Sequence, residues 1–412
     1  MRDLFFIAFL GLFFLIGFRR PFLLVIIYAY IDIVSPQRLS YYLLNSIPIS
    51  AIAFALAAGS WLLVDDKKDC RFSLRQGLLL ILLGWCGYTT LNAAFPLEAA
   101  DKWNWVSKCL IFAIFLPLVL RTKLRLEALA LMMVLCASTI IMNGGMKTVL
   151  SGGGYGVLNL MVDDNSGLYE GSTISTVAIA IIPLIWWLAR YGTIFSPDDW
   201  RVKVVALGLG GSCLLIPIGT ETRTGLLCIV LLAGLVILRS KRRFVYGPLL
   251  LFAGLIAIPF LPASFTQRMQ TIETHSSDQS ASTRVAVWLW TIDYVKQHPA
   301  GGGFENYLAN SFTYVTPMVM TEGGSTRVEN QRVTDKGRAY HSAYFEMLGE
   351  QGYFGFFLWA MVHLITLIRT EMIRRRHARD ADPANRWISP LALALQQGHL
   401  VYLLGALFIG IA

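Results

Sequence analysis

Long apolar runs broken by short polar segments recur along almost the whole chain. A helix needs roughly 17–25 mostly apolar residues to cross a bilayer, and most of these runs come close to that length. A membrane barrel would instead alternate apolar and polar positions with period two, and these runs are continuous. The pattern predicts an all-α polytopic membrane protein with about twelve transmembrane helices. They are expected near residues 4–18, 22–35, 48–64, 77–95, 104–120, 126–142, 174–190, 202–219, 224–238, 244–262, 341–368 and 388–412. Only Arg19, Arg20 and Pro21 separate the first two, which predicts a tight hairpin. No small-residue cleavage site follows the first run and its arginines flank the far end, so it does not read as a secretory leader. The last run reaches Ala412 without a polar exit, as expected for the ordered part of a longer native chain.

Two polar stretches are too long to be simple turns: Asn143–Thr173 and Pro262–Tyr340. The second contains STRVAVWLWTIDYVKQ, with apolar positions at helical spacing, the loop HPAGGGFENY and the polar tract TEGGSTRVENQRVTDKGRAY. The expected organisation is therefore helices 1–10 over residues 1–262, one large extracytoplasmic loop region of short helices over 263–340, and helices 11–12 over 341–412.

Charge then orients the bundle. The chain carries 35 Lys and Arg against 26 Asp and Glu, a net charge of +9. Most of the basic residues fall in alternate loops, those after the first, third, fifth, seventh, ninth and eleventh spans. The positive-inside rule puts those loops in the cytoplasm and both long polar stretches outside. The surplus charge thus encodes topology and calls for no nucleic-acid partner. Composition agrees: 55% of residues are hydrophobic and only 15% charged, against about 25% charged in ordinary soluble domains. The six cysteines have no metal-ligand spacing, so neither disulfides nor a metal site are expected. No phosphate-binding or dinucleotide-binding glycine loop is present, so no cofactor is expected and the energy for any reaction must come with the substrate.

Charges at membrane depth usually mark a site. In GTETRTGLL, Glu221 and Arg223 stand between two apolar runs with almost no loop. They read either as a local ion pair in a hairpin or as a cavity where Arg223 forks onto an anion, aided by a helix N-terminus. Arg284, beside Trp288, reads either as a snorkelling interfacial residue or as a second phosphate contact. His341 at the start of an apolar helix is either a cap or a general base. Glu346 is placed to orient the site, and Glu350 to brace it against another helix. Arg38, Lys102 and Lys108 also fall on the outer side, as anchors or as a wider cationic patch, while Trp103 and Trp105 read as interface anchors. His363, His377 and His399 read as structural or surface residues, and Asp163-Asp164 as a solvated turn or a contact to sugar hydroxyls.

Four stretches together carry a resemblance: TRTG (222–225), STRVAVW (282–288), HPAGGGF (298–304) and HSAYFEMLGEQGYFG (341–355). In this order and membrane placement they are similar to motifs of the O-antigen ligase superfamily, which includes O-antigen polymerases and bacterial O-linked oligosaccharide ligases. The opening MRDL and the later SPQRL also resemble a branch of O-glycosylation ligases linked to exosortase systems. The resemblance implies a GT-C-like membrane enzyme of the inner membrane with its active site facing the periplasm. Its donor would be a glycan on undecaprenyl diphosphate, and its acceptor a hydroxyl of lipid A–core, completing lipopolysaccharide without metal or cofactor. Arg223 and Arg284 would match the arginines that hold the diphosphate, and His341 the histidine that activates the acceptor. Arg38, Glu221, Lys102, Lys108, Tyr344 and Glu346 are the accompanying candidates for substrate contact. Transfer to a protein, or polymerisation of glycan repeats, uses the same donor chemistry and stays open. A transporter or flippase would be expected to show two related halves with broken helices. No such symmetry is visible, and the site-like residues collect on one side of the membrane.

Overall fold

A computed structural model of the chain describes residues 2–40, 47–68, 70–151, 167–257, 279–322 and 325–411. A helix stands at each of the twelve predicted spans. They are α1 (Arg2–Arg19), α2 (Phe22–Val34), α4 (Ile49–Leu63), α5 (Leu74–Leu91), α6 (Pro96–Val119) and α7 (Lys123–Ser151), then α8 (Gly171–Tyr191), α9 (Trp200–Gly219), α10 (Arg223–Arg239), α11 (Arg243–Ala257), α13 (Ala343–His377) and α14 (Ile388–Gly405). The short α3 (Pro36–Leu39) follows α2, and α12 (Gln279–Gln297) lies in the large loop. Among the described residues, α6, α7, α8, α9 and α13 are each long and apolar enough to cross a membrane. Large apolar side chains such as Leu15, Leu63, Val230, Leu238 and Phe252 stand exposed on the helix flanks. In water such surfaces would aggregate; in lipid they are ordinary solvent contacts. The chain is a multi-pass helical membrane protein.

The core is centred on α8, where Ile174, Ala178 and Ile179 are fully buried. One face of α8 packs on α7 and α9, and the other on α10 and α14. A second cluster joins α1, α2, α4 and α6 through edge-on and tilted aromatic contacts, among them Tyr28, Phe54 and Phe112. A third joins α5 and α6 to α13 and the end of α14.

Polar contacts then define two opposite ends. At one, Asp65 receives hydrogen bonds from Arg121 and Arg125, and the Glu127 carboxylate accepts from the backbone of Thr193 and Ile194. The Arg125 guanidinium holds the Asp65 carboxyl below the usual carboxylate range. Glu371 pairs there with Arg374 and Arg375. The other end gathers the C-termini of α5, α9 and α14 with the N-termini of α6, α8, α10 and α13.

Several expectations need correction. The segment EAADKWNW, read as an outer loop, forms the first turns of α6. Pro96 at the helix start and Glu98 in the first turn suit a helix N-terminus, and they outweigh the polar composition. The helix α7 continues to Ser151, so the Asn143–Thr173 stretch begins as helix, not loop. The large loop holds more than short helices: β1 (Ser311–Glu322) and β2 (Ser325–Lys336) pair antiparallel, from Ser311 opposite Lys336 to Glu322 opposite Ser325. The signal was β-branched and aromatic residues on either side of a Gly-Gly step. Residues 258–278, and 152–166 with Asp163-Asp164, lie outside the described residues.

The largest departure from a plain helix is in α13. Gly352 has φ 64° and ψ −168°, which breaks the helix inside its apolar run. The carbonyls freed by the break are not left bare. The N–H groups of Gly302 and Gly303 donate to the carbonyls of Gly349 and Glu350 at 3.0 and 2.9 Å, and Tyr353 N–H donates to Pro299 O at 3.0 Å. Trp85 of α5 donates its indole N–H to Gln351 O at 2.8 Å. Buried backbone groups must find partners, and here a glycine loop supplies them. A Cβ on Gly352 would sit 2.2 Å from Pro299 O, and one on Gly301 2.4 Å from Glu350 O.

Gly352→Ala is therefore expected to destabilise the protein. The backbone region is essentially glycine-only and costs other residues about 1–3 kcal/mol before any overlap is counted. Gly210→Ala in α9, where a Cβ meets nothing within 4 Å, should be neutral or slightly stabilising. Thermal unfolding of the two variants in the same detergent separates them; equal midpoints would contradict the role given to the break.

Candidate functional site

His341 lies just before α13, with φ 46°, in the left-handed region that a non-glycine residue rarely adopts. Its neighbours hold it there from both sides. The Trp288 indole N–H of α12 donates to Tyr340 O at 2.9 Å, and the Trp288 ring stacks on Phe345 with centroids 4.9 Å apart. After the histidine, Ala343 N–H donates to Ala406 O at the end of α14, at 2.9 Å. Burial pushes the imidazole below its usual pKa. The charges of Arg284 and Arg338 act in the same sense, and those of Glu170 and Glu346 oppose it. His341 is thus held neutral near pH 7, with a nitrogen able to accept a proton.

Arg284 reaches this neighbourhood because it lies one helical turn before Trp288 on α12, on the face that turns towards His341. Arg223 is the first residue of α10. The turn before it is tied to the start of α8 by three hydroxyls: Ser175 meets Thr220 and Thr222, each at 2.8 Å. Gly225 completes this junction, since a Cβ there would lie 2.6 Å from Pro217 and 2.9 Å from Ser175. The next α8 residue, Thr176, packs against Gly405 of α14, beside the Ala406 carbonyl that holds Ala343. A continuous chain of contacts therefore joins the Arg223 turn to the His341 turn at one end of the bundle.

Behind His341 lies a knot of charge. The Lys102 ammonium of α6 donates to Glu346 at 2.6 Å and to Glu350 at 2.8 Å, and lies 3.3 Å from Glu305. Glu346 also accepts from Ile411 N–H at 2.8 Å, and Glu350 from Glu305 N–H at 3.0 Å. Glu305 itself has φ 61°. Three converging carboxylates would also suit a hard divalent cation. Here the ammonium fills that position.

The predicted residues thus separate into groups. His341 and Arg284 come together, with Arg223 on the same end of the bundle. Glu346 touches the site through its charge, and Glu350 does brace another helix, namely α6, by an ion pair. Lys102 lies between carboxylates rather than in an open cationic patch. Lys108 is exposed on α6. Glu221 occupies the α9–α10 turn with φ 53°. The Tyr344 hydroxyl donates to Leu403 O at 3.0 Å, which ties α13 to α14. Arg38 lies on α3, and its side chain is outside the described residues. Sequence reasoning missed Glu305 and Glu170. Glu305 directly follows the HPAGGGF motif, which was the available signal; Glu170, at the start of α8, carried none.

Chemically, the arrangement offers a neutral base at the helix entrance, guanidinium groups for an anion, and a buried acidic knot that fixes the backbone between them. Residues 204–360 match the family model described as O-antigen ligase, and residues 1–193 match one described as a family of unknown function (DUF5935). No curated protein and no solved structure matches the chain. His341, Arg223, Arg284 and all three carboxylates fall in the first matched range, whereas Lys102 and Glu170 fall in the second.

Lys102→Met should destabilise the protein by about 3–5 kcal/mol, the usual cost of leaving buried charges without their partner. Adding Glu350→Gln to that variant should restore part of the loss, because it removes one of the stranded charges. Thermal unfolding in detergent reads both effects, and a double variant no more stable than Lys102→Met would contradict the ion-pair assignment.

Proposed function

Because the chain belongs to the O-antigen ligase superfamily, we propose that it transfers a glycan from undecaprenyl diphosphate to a hydroxyl of lipid A–core. The family supports an O-antigen ligase or polymerase type of role, with a lipid-linked glycan donor and an acceptor in the membrane. The observation that carries the finer reading is a neutral His341, open at the helix entrance, beside the charge of Arg284 and on the same end of the bundle as Arg223. In this reading that end faces the periplasm of the bacterial inner membrane, in keeping with the basic loops at the opposite end.

His341 accepts the proton of the acceptor hydroxyl as the oxygen attacks the anomeric carbon. The bond from that carbon to the diphosphate oxygen breaks, and the electron pair leaves with undecaprenyl diphosphate. Arg223 and Arg284 meet the charge that grows on the departing diphosphate, which is worth most in a partly dry site. A guanidinium suits this because it forks onto two phosphate oxygens in fixed geometry. Lys102 and its carboxylates hold the α13 entrance without touching the reacting atoms. The mechanism asks for no metal or nucleotide.

His341→Ala should lower transfer about 10²–10⁴-fold, the range for loss of a general base, with the fold and donor binding retained. The pH profile of the wild type follows from the direction of the His341 shift. A lowered pKa keeps the base neutral at pH 7, so the rate should be level above neutrality. It should fall on the acid side, with a midpoint below the ordinary imidazole value of about 6.5. A purified, reconstituted assay with wild-type turnover in His341→Ala, or with an acid limb centred above that value, would remove the histidine from this role.

Arg223→Lys and Arg284→Lys should each lower kcat more than they raise the donor KM, since leaving-group charge peaks in the transition state. The double variant should lose less than the two single losses combined, because both groups serve one diphosphate. Strictly additive losses would separate the two arginines.

A further inference from the structure

A cavity of about 570 Å³ opens between α2, α6, α7 and α8, beside the site but separate from the residues used above. Its volume falls within the ~300–1,000 Å³ typical of ligand sites. Its polarity is graded. Asp32 and Ser35 at the end of α2, Trp105 of α6 and the Gly167 backbone form one end. Met133 of α7 with Val177 and Ile181 of α8 form the other. Val177 and Ile181 lie six and ten residues into α8, about 9 and 15 Å deeper at 1.5 Å per residue. The polar end is therefore at the level of the His341 entrance, and the apolar end reaches into the membrane. Tyr169 also lines the cavity, and the next residue is Glu170, whose charge acts on His341.

Asp32 is the informative residue. Among the described residues, no group hydrogen-bonds or ion-pairs with its carboxylate. Asp32 is exposed and lines the cavity, so its carboxylate is within reach of a ligand there. Its negative charge disfavours a diphosphate, so the donor's head group does not belong here. A carboxylate beside a tryptophan face suits a sugar: the carboxylate accepts from hydroxyls, and the ring packs on the C–H face. The apolar end suits a hydrocarbon chain.

We propose that this cavity is the acceptor subsite, taking an amphiphile with a sugar head at Asp32 and Trp105 and its hydrocarbon chain against Met133, Val177 and Ile181. The proposal rests on the glycan-transfer reading, and it divides the two substrates by charge. The anionic donor goes to the arginines, and the hydroxyl-bearing acceptor goes to the carboxylate.

The test uses the full chain in amphipol with Ser35→Cys, and mass spectrometry follows maleimide labelling at position 35. Dodecyl β-maltoside below its micelle concentration should slow labelling about tenfold, and Asp32→Asn or Trp105→Ala should each remove most of that protection. Undecaprenyl diphosphate should not protect. In turnover on the native Ser35 background, Asp32→Asn should raise the KM for lipid A–core about tenfold and leave the donor KM unchanged. No protection by the maltoside, equal protection by phosphatidylethanolamine, or a KM change confined to the donor overturns the proposal. Protection without any glycan transfer would sink the reaction assigned above and leave the subsite standing. Normal transfer without protection would sink the subsite alone.

Discussion

One ammonium group holds the functional end of this protein together. Lys102 is enclosed by Glu305, Glu346 and Glu350, and each of these charges has left water at a cost of several kcal/mol. The cluster is tolerable only because backbone donors complete it, from Glu305 and from Ile411. Those donors come from the glycine loop and from the segment after α14. The ion pairs and the Ile411 hydrogen bond therefore tie four distant parts of the chain to one point, in the first turns of the helix that His341 precedes. A surface pair of the same composition would contribute little; burial makes this one a constraint on geometry.

The second constraint depends on the first. With Glu346 and Glu350 anchored to α6, the opening turns of α13 are fixed, and the helix breaks at Gly352 just beyond them. The loop from Pro299 to Gly303 fills the break and takes up the hydrogen bonds that the helix gives up. Glycine is needed on both sides of this contact, because the two backbones approach more closely than any Cβ allows. Two motifs that lie apart in sequence are thus halves of one structure. Their shared product is a short leading segment of α13, held at both ends, that presents His341 in a backbone conformation it would not adopt alone.

Charge is divided across the same end of the bundle. Guanidinium groups stand at the starts of α10 and on α12, and an acidic group stands at the end of α2. Charges of both signs at one end of the bundle give it a direction, because an anionic group and a neutral polar group find different places in it. The opposite end of the bundle carries ion pairs such as Asp65 with Arg125 between helices and Glu371 with Arg374 within one.

Helix positions were legible in the sequence, because they depend on short-range properties. Hydrophobicity summed over about 20 residues sets a span, and loop charge sets its orientation. An arginine or histidine at a span boundary stands out against apolar neighbours, which is how Arg223 and His341 were found. The sequence by itself could not determine which charges meet. Lys102 and Glu346 are 244 residues apart, and nothing local marks them as partners. The polar start of α6 resembled a loop by its composition, because the distant carboxylates that receive its lysine are not visible locally. Gly352 stood inside a recognised motif, but its left-handed conformation depends on a loop that arrives from another part of the chain. Asp32 faces a cavity only because four helices pack around it. Spans follow from the local chemistry of the chain; pairings, breaks and cavities follow from the close approach of remote backbones, which only the folded structure decides.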